Sequence, residues 1–203
     1  MTADLLTALV VFAFVTSITP GPNNMLLLAS GVNYGFRRTI PHMLGVSLGF
    51  CLMILLVGLG IGQAFQRFPV LYAVLKITSV VYMLWLAWKI AMSGPISLRV
   101  HDATARPMTF LQACAFQWVN PKGWTMCLTA VSAFTVPAQY LVSLLAVAAA
   151  YFVVNLPSVS AWTVFGVSLR GLLADPKRVQ IFNLAMAIAL LASLWPVVAE
   201  HLK

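Results

Sequence analysis

Carboxylates are what this sequence has least of. Only 4 of its 203 residues are Asp or Glu, and none lies inside an apolar run: Asp4 and Glu200 stand near the two ends, Asp102 and Asp175 between runs. That removes a proton relay built from carboxylates, and it removes an oxygen cage for a divalent cation, which needs acidic ligands. Cysteine is scarce too. Cys51, Cys114 and Cys127 all fall inside apolar runs, where an odd number of thiols points to packing rather than to disulfides or a metal cluster. No metal-ligand spacing and no cofactor motif is present. The sequence also lacks H-E-x-x-H, G-x-S-x-G and any acidic pair within a run, so the groups that would make it an enzyme are missing.

Charged residues of both signs make up 8% of the chain and hydrophobic ones 62%, with a mean hydropathy of +0.96; a soluble domain is about half apolar and a quarter charged. This is the composition of a membrane protein. A spanning helix needs ~20 apolar residues, and runs at 5–29, 40–62, 69–92, 110–134, 140–165 and 181–199 leave no room for a soluble module. The net charge of +8 falls in short connections, which fits orientation in a lipid bilayer and not a nucleic-acid partner. With alternate connections on one side, Arg37, Arg38, Lys89, Arg99, Arg106, Arg170, Lys177 and Arg178 gather against Arg67 and Lys203. The positive-inside rule then places both termini outside. Met1-Thr2-Ala3-Asp4 has no basic n-region, so the first run reads as a span and not as a cleaved signal.

The longest polar connection, 93–107, is expected in the cytoplasm and divides a single transmembrane domain of residues 1–203 into pseudo-repeats of about 1–92 and 108–203. Three spans per half make the halves enter the membrane in opposite directions, as in transporters built from inverted repeats. The expected fold is all-α: six transmembrane helices as two inverted three-helix repeats, the first helix of each half broken. The breaks are Thr19-Pro20-Gly21-Pro22-Asn23-Asn24 and Asn120-Pro121-Lys122. Proline removes an amide donor and clashes with the preceding turn, and unpaired backbone at membrane depth survives only against protein or a water-filled cavity. The two breaks are therefore expected to face each other across a polar site. A further interruption stands at Asn155-Leu156-Pro157 in the fifth run.

Lys122 lies at the midpoint of its run, too deep for a side chain reaching ~6 Å to snorkel across the ~15 Å to the interface. Ionisable residues at that depth face a cavity or the bundle interior; the competing role is to cap carbonyls freed by Pro121. Lys76 lies nearer an end and divides evenly between site and snorkel. Helix N-termini after Pro22 and Pro121 favour an anion, while Asn23, Asn24, Asn120, Asn155 and the carbonyls of the breaks, including Pro20 and Gly21, suit an ammonium. A small zwitterionic amino acid fits that pair of poles. His42 is the histidine near a span able to change charge around neutral pH, and so the candidate for proton coupling, against the plainer role of an interface residue. Ser17, Thr19, Ser158 and Ser160 are expected to satisfy carbonyls near the breaks, and Asn183 to bond between helices. Gly45 and Gly49 read as a close helix contact, Gly58, Gly60 and Gly62 as the end of the second span, and Tyr82, Trp85 and Trp88 with Lys89 as an interfacial belt. A channel for another solute or cation would need filter loops or charged rings, which are lacking. A scaffold without transport remains a rival on composition alone.

Thr19 to Asn24, then Gly31, Gly35 and Phe36, then Gly45 and Gly49, resemble the N-terminal signature of the lysine exporter (LysE/RhtB) superfamily of amino-acid efflux proteins. The run Phe116-Gln117-Trp118-Val119-Asn120-Pro121-Lys122 is similar to that family's second signature, and Leu75-Lys76, Tyr82 and Trp85-Leu86-Ala87-Trp88-Lys89 to its third span. The likeness covers nearly the whole chain. Trp85-Leu86-Ala87-Trp88-Lys89-Ile90-Ala91 and Val131-Ser132-Ala133-Phe134 before Pro137 look nearest to the cysteine and O-acetylserine exporter branch. The chain departs from the family at Ser79 and Ala87, where glycine is frequent. The resemblance implies a prokaryotic inner-membrane exporter of amino acids driven by the proton gradient, with protons as coupling ion, no cofactor, and a homodimer as an allowed assembly.

Overall fold

A computed structural model describes residues 1–92, 106–171, 173 and 175–192, the side chains of 64–66, 69, 71, 72, 76 and 176 excepted. Every element among the described residues is helical. Helix α1 (Ala3–Ile18) is capped by Thr2, whose side chain accepts from the Leu5 amide. A non-helical stretch at 19–21 follows, then α2 (Pro22–Tyr34) and, after Gly35, α3 (Phe36–Leu56). Gly35 turns the chain at φ 79°, a region open to glycine because it lacks a Cβ. The second span ends as its glycines suggested, in a π turn at Val57–Ile61 where Gly60 takes φ 137°. Short α4 (Gly62–Arg67) and long α5 (Pro69–Ala91) complete the first half.

The second half opens with α6 (Phe110–Phe116), whose N-terminus carries a reciprocal capping box between Thr109 and Gln112. A 3₁₀ turn at Gln117–Val119 and extended Asn120 separate it from α7 (Pro121–Phe134). Helices α8 (Tyr140–Leu169) and α9 (Pro176–Ala192) follow. The residue before a proline is pushed out of the α region: Thr19, Gly21 and Asn120 are all extended. That effect splits the first and fourth runs where the sequence placed the breaks. It does not split the fifth. Pro157 sits inside an unbroken 30-residue α8, where Ser158 and Ser160 bond back to the carbonyls of Val154 and Leu156 at 2.8 and 2.7 Å. The expected interruption at Asn155-Leu156-Pro157 is thus a missing donor within a continuous helix.

Phe36–Ile61, Ala73–Ala91 and Pro137–Leu169 are long and apolar enough to cross a membrane, and the pair Ala3–Ile18 and Pro22–Tyr34, bent by 56°, makes a fourth candidate. The fourth expected run is divided between α6 and α7, and the sixth is described only as far as Ala192. Helix α8 is central, packing on α1, α2 and α3, while α3 also packs on α6 and α5 on α9. Between α3, α7 and α8 lies the main core, with Phe50, Met53, Cys127, Leu144 and Tyr151 buried. Tyr151 stands edge-on to Phe50 at 5.0 Å and meets the Thr16 hydroxyl at 3.2 Å. Large apolar side chains such as Val11, Val142, Val153 and Ile181 point outward, as lipid-facing residues do.

Small residues set the helix spacing. A Cβ on Gly31 would stand 2.3 Å from the Thr163 carbonyl oxygen and one on Gly166 2.2 Å from that of Leu28, so α2 and α8 touch backbone to backbone. Gly45 meets the Phe110 carbonyl and Gly49 the Cys114 backbone, which is the close contact expected of that pair. The thiols of Cys114 and Cys51 donate across helices to the carbonyls of Gly45 and Ala148, both at 3.3 Å. Lys89 lies 4.8 Å from the Trp85 ring centroid at the end of α5, with Trp85 and Trp88 exposed as a belt requires.

Candidate functional site

Breaking α1 from α2 releases carbonyls that a continuous helix would satisfy, and those are the groups around which the site is built. Asn24, buried in the first turn of α2, turns back to donate its amide to the carbonyls of Ser17 and Thr19, both at 2.8 Å. The Trp162 indole donates from α8 to the Ile18 carbonyl at 3.0 Å. Lys122 reaches over from the first turn of α7 and its Nζ donates to the Thr19 carbonyl at 2.7 Å, the Thr19 hydroxyl at 2.9 Å and the Pro20 carbonyl at 3.3 Å. An ammonium has three N–H donors, and here each meets an acceptor from the other break. The breaks therefore face each other. The competing role for Lys122, capping carbonyls freed by Pro121, is not what the geometry gives.

Gly21 makes that approach feasible. Its backbone is extended, so conformation does not demand glycine, but a Cβ there would lie 2.6 Å from Lys122 Cδ and 3.1 Å from Nζ. A second bridge joins the breaks through side chains. Asn23 Nδ2 donates to Gln117 Oε1 at 2.8 Å and Gln117 Nε2 returns to Asn23 Oδ1 at 3.2 Å, with a further bond to the Ala113 carbonyl at 2.9 Å. Gln117 is fully buried. Its role was not read from the residues, although a glutamine one turn before Asn120 in an apolar run was a visible signal. Asn155 adds the third partner: its amide donates to Ser17 Oγ at 3.2 Å and its oxygen accepts from Ser47 at 2.9 Å, which ties α1, α3 and α8 together.

A cavity opens between these groups, lined on the polar side by Gly21, Asn23, Asn24, Asn120, Lys122 and Asn155 and on the apolar side by Val46, Phe50, Met126 and Val159. Its free interior of about 20 Å³ holds one water molecule and not an amino acid. Asn120, 2% exposed, lines it with Oδ1 lacking any partner among the described residues. Both helices that begin here start with proline, so the first intrahelical amide bonds are Met25 to Gly21 and Trp124 to Asn120. The amides of Asn23, Asn24, Lys122 and Gly123 precede those ladders and give the site its positive pole.

Not every candidate joins the site. Asn24 does, but its amide is committed to capping α1. Pro20 contributes its carbonyl from an exposed position, and Pro22 and Pro121 start their helices. The side chain of Lys76 lies outside the described residues. His42 is buried in α3, away from the cavity lining, and neither ring nitrogen has a partner among the described residues. Asn183 is buried in α9. Thr19 back-bonds to the Thr16 carbonyl at 3.1 Å, as expected of a hydroxyl near a break, whereas Ser17 instead accepts from Asn155.

Residues 14–194 match the profile of the family described as LysE type translocator. The chain belongs to that family. It is 36% identical over 144 residues to the cysteine/O-acetylserine efflux protein of Escherichia coli, covering 70% of this chain and 72% of that one. It is 38% identical over 140 residues to the protein of the same name from Salmonella typhimurium, covering 68% and 69%. No solved structure matches the chain. Members of this family are transporters of the bacterial inner membrane and not enzymes, which agrees with the missing catalytic groups and with the apolar exterior.

Proposed function

We infer that the protein is a secondary active exporter of small zwitterionic amino acids or close derivatives, driven by the proton gradient. Family membership and relatives named for cysteine and O-acetylserine efflux support the transport class. The observation that carries the site assignment is the meeting of the two breaks: the Lys122 ammonium bonds the carbonyls of Thr19 and Pro20, and Lys122 lines one cavity with Asn23, Asn24, Gly123 and Asn120, whose Oδ1 has no partner among the described residues. In the proposed complex the substrate carboxylate takes the amides and Lys122, and the substrate ammonium takes the carbonyls and Asn120 Oδ1. Apolar Val46, Phe50, Met126 and Val159 would hold a short side chain.

The architecture proposed for this activity is a single domain of two inverted halves, about 1–92 and 108–203, joined by a cytoplasmic connection, with both termini outside. The packing of α1 on α8 and of α6 on α3, the pairing of α3 with α8 and that of α5 with α9 support equivalent halves. His42 is the proposed proton carrier, as the histidine near a span whose side chain can change charge around neutral pH. His42→Ala would then lose uphill efflux while keeping substrate exchange. Overproducing the protein and profiling intracellular amino acids tests the whole reading: the pool that falls names the substrate, and pools unchanged by overproduction would refute export.

A further inference from the structure

The three acceptors around Lys122 Nζ are the groups a substrate ammonium would need, and they are taken. Thr19 O, Thr19 Oγ1 and Pro20 O surround the lysine head at 2.7, 2.9 and 3.3 Å, while the free interior beside it has room for one water. We propose that this trio is the ammonium subsite of the transport site and that Lys122 is its tethered occupant, displaced when a primary ammonium ligand enters. The proposal rests on the export reading and adds to it a place for each charge. The entering R–NH₃⁺ group takes the cage left by Lys122. The released lysine, its stem sliding across the bare face of Gly21, is then free to meet the carboxylate of the same ligand. A ligand lacking the carboxylate leaves the displaced lysine without a counter-ion, so selection for zwitterions follows from the exchange itself.

A group on a short tether competes at an effective concentration in the mM range, so removing it exposes the cage to simple amines. The probe is radiolabelled methylammonium, measured against the full chain in lipid nanodiscs, with tetramethylammonium as the cation that has no N–H to donate. Wild type should show little saturable methylammonium binding. Lys122→Met should raise its affinity by roughly tenfold or more, and tetramethylammonium should not share the gain. Gly21→Ala, which keeps every polar group but places a Cβ only 2.6 Å from the present position of Lys122 Cδ, should move binding in the same direction and serves if the first variant does not fold. No gain in a folded variant, or a gain shared equally by tetramethylammonium, overturns the proposal. Neither probe is an amino acid, so unchanged amino-acid pools would refute export while leaving the cage assignment standing, and the reverse holds for a failed methylammonium experiment.

Discussion

The two helix breaks solve the same problem in opposite ways. The first leaves residues 19–21 outside any helix and takes its donors from elsewhere: Asn24 from the next helix, Trp162 from α8 and Lys122 from α7. The second is tightened by a 3₁₀ turn, with the Asn120 amide bonded to the Gln117 carbonyl at 3.3 Å and the Trp124 indole to the Trp118 carbonyl at 2.9 Å. One break is short of donors and the other largely serves itself and exports them. At membrane depth, where an unpaired backbone group costs several kcal/mol, that complementarity makes each break a condition for the other. It also leaves a polar junction that an apolar bundle would not otherwise contain.

The sharpest way to break the comparison is to remove the donor. Lys122→Met should cut efflux by roughly 100-fold, since each hydrogen bond to a charged group contributes about 1.5–3 kcal/mol, with membrane insertion retained; a variant transporting normally would refute the role. Gly166→Ala tests whether α8 must sit this close to α2 for the junction to form. Its Cβ would meet the Leu28 carbonyl, and a stability loss of about 1–3 kcal/mol is expected, read as a lower Tm. The side-chain bridge is next. Gln117→Leu and Asn23→Leu should each cost about 1–3 kcal/mol by stranding the partner amide, half-buried in Asn23 and buried in Gln117, while the double variant should cost less than their sum; strict additivity would mean that the pair does not couple. The smallest effect is expected from Asn120→Ala. It removes an oxygen with no present partner, so stability should hardly change while the substrate KM rises by roughly fivefold, about 1 kcal/mol.

The positions of both breaks were legible because proline acts locally: it lacks a donor wherever it stands, and the residue before it is driven extended. Pro157 misled for the same reason. The sequence shows the missing donor and the serines beside it that bond back to carbonyls, but not the packing on α1, α2 and α3 that holds the helix continuous. The chemistry of the residues at the breaks was visible, and their partners were not. Whether Lys122 would bond its own break or the other depends on a contact across 103 residues, and the pairing of Gly31 with Gly166 or Asn23 with Gln117 is equally remote in the chain. Asn23, Asn24 and Asn120 look alike in the sequence. In the fold the amide nitrogens of the first two are already engaged, while the buried Oδ1 of Asn120 has no partner among the described residues.

The contact on which everything depends is measurable without transport or ligand. Solid-state NMR on the full chain in lipid, with ¹⁵N at lysine Nζ and ¹³C at threonine carbonyls, reports dipolar coupling between the two. A coupling corresponding to the 2.7 Å approach of Lys122 Nζ to the Thr19 carbonyl oxygen, present in wild type and lost in Lys122→Met, is the predicted result. No coupling in wild type, or one that survives the substitution, would contradict the meeting of the two breaks.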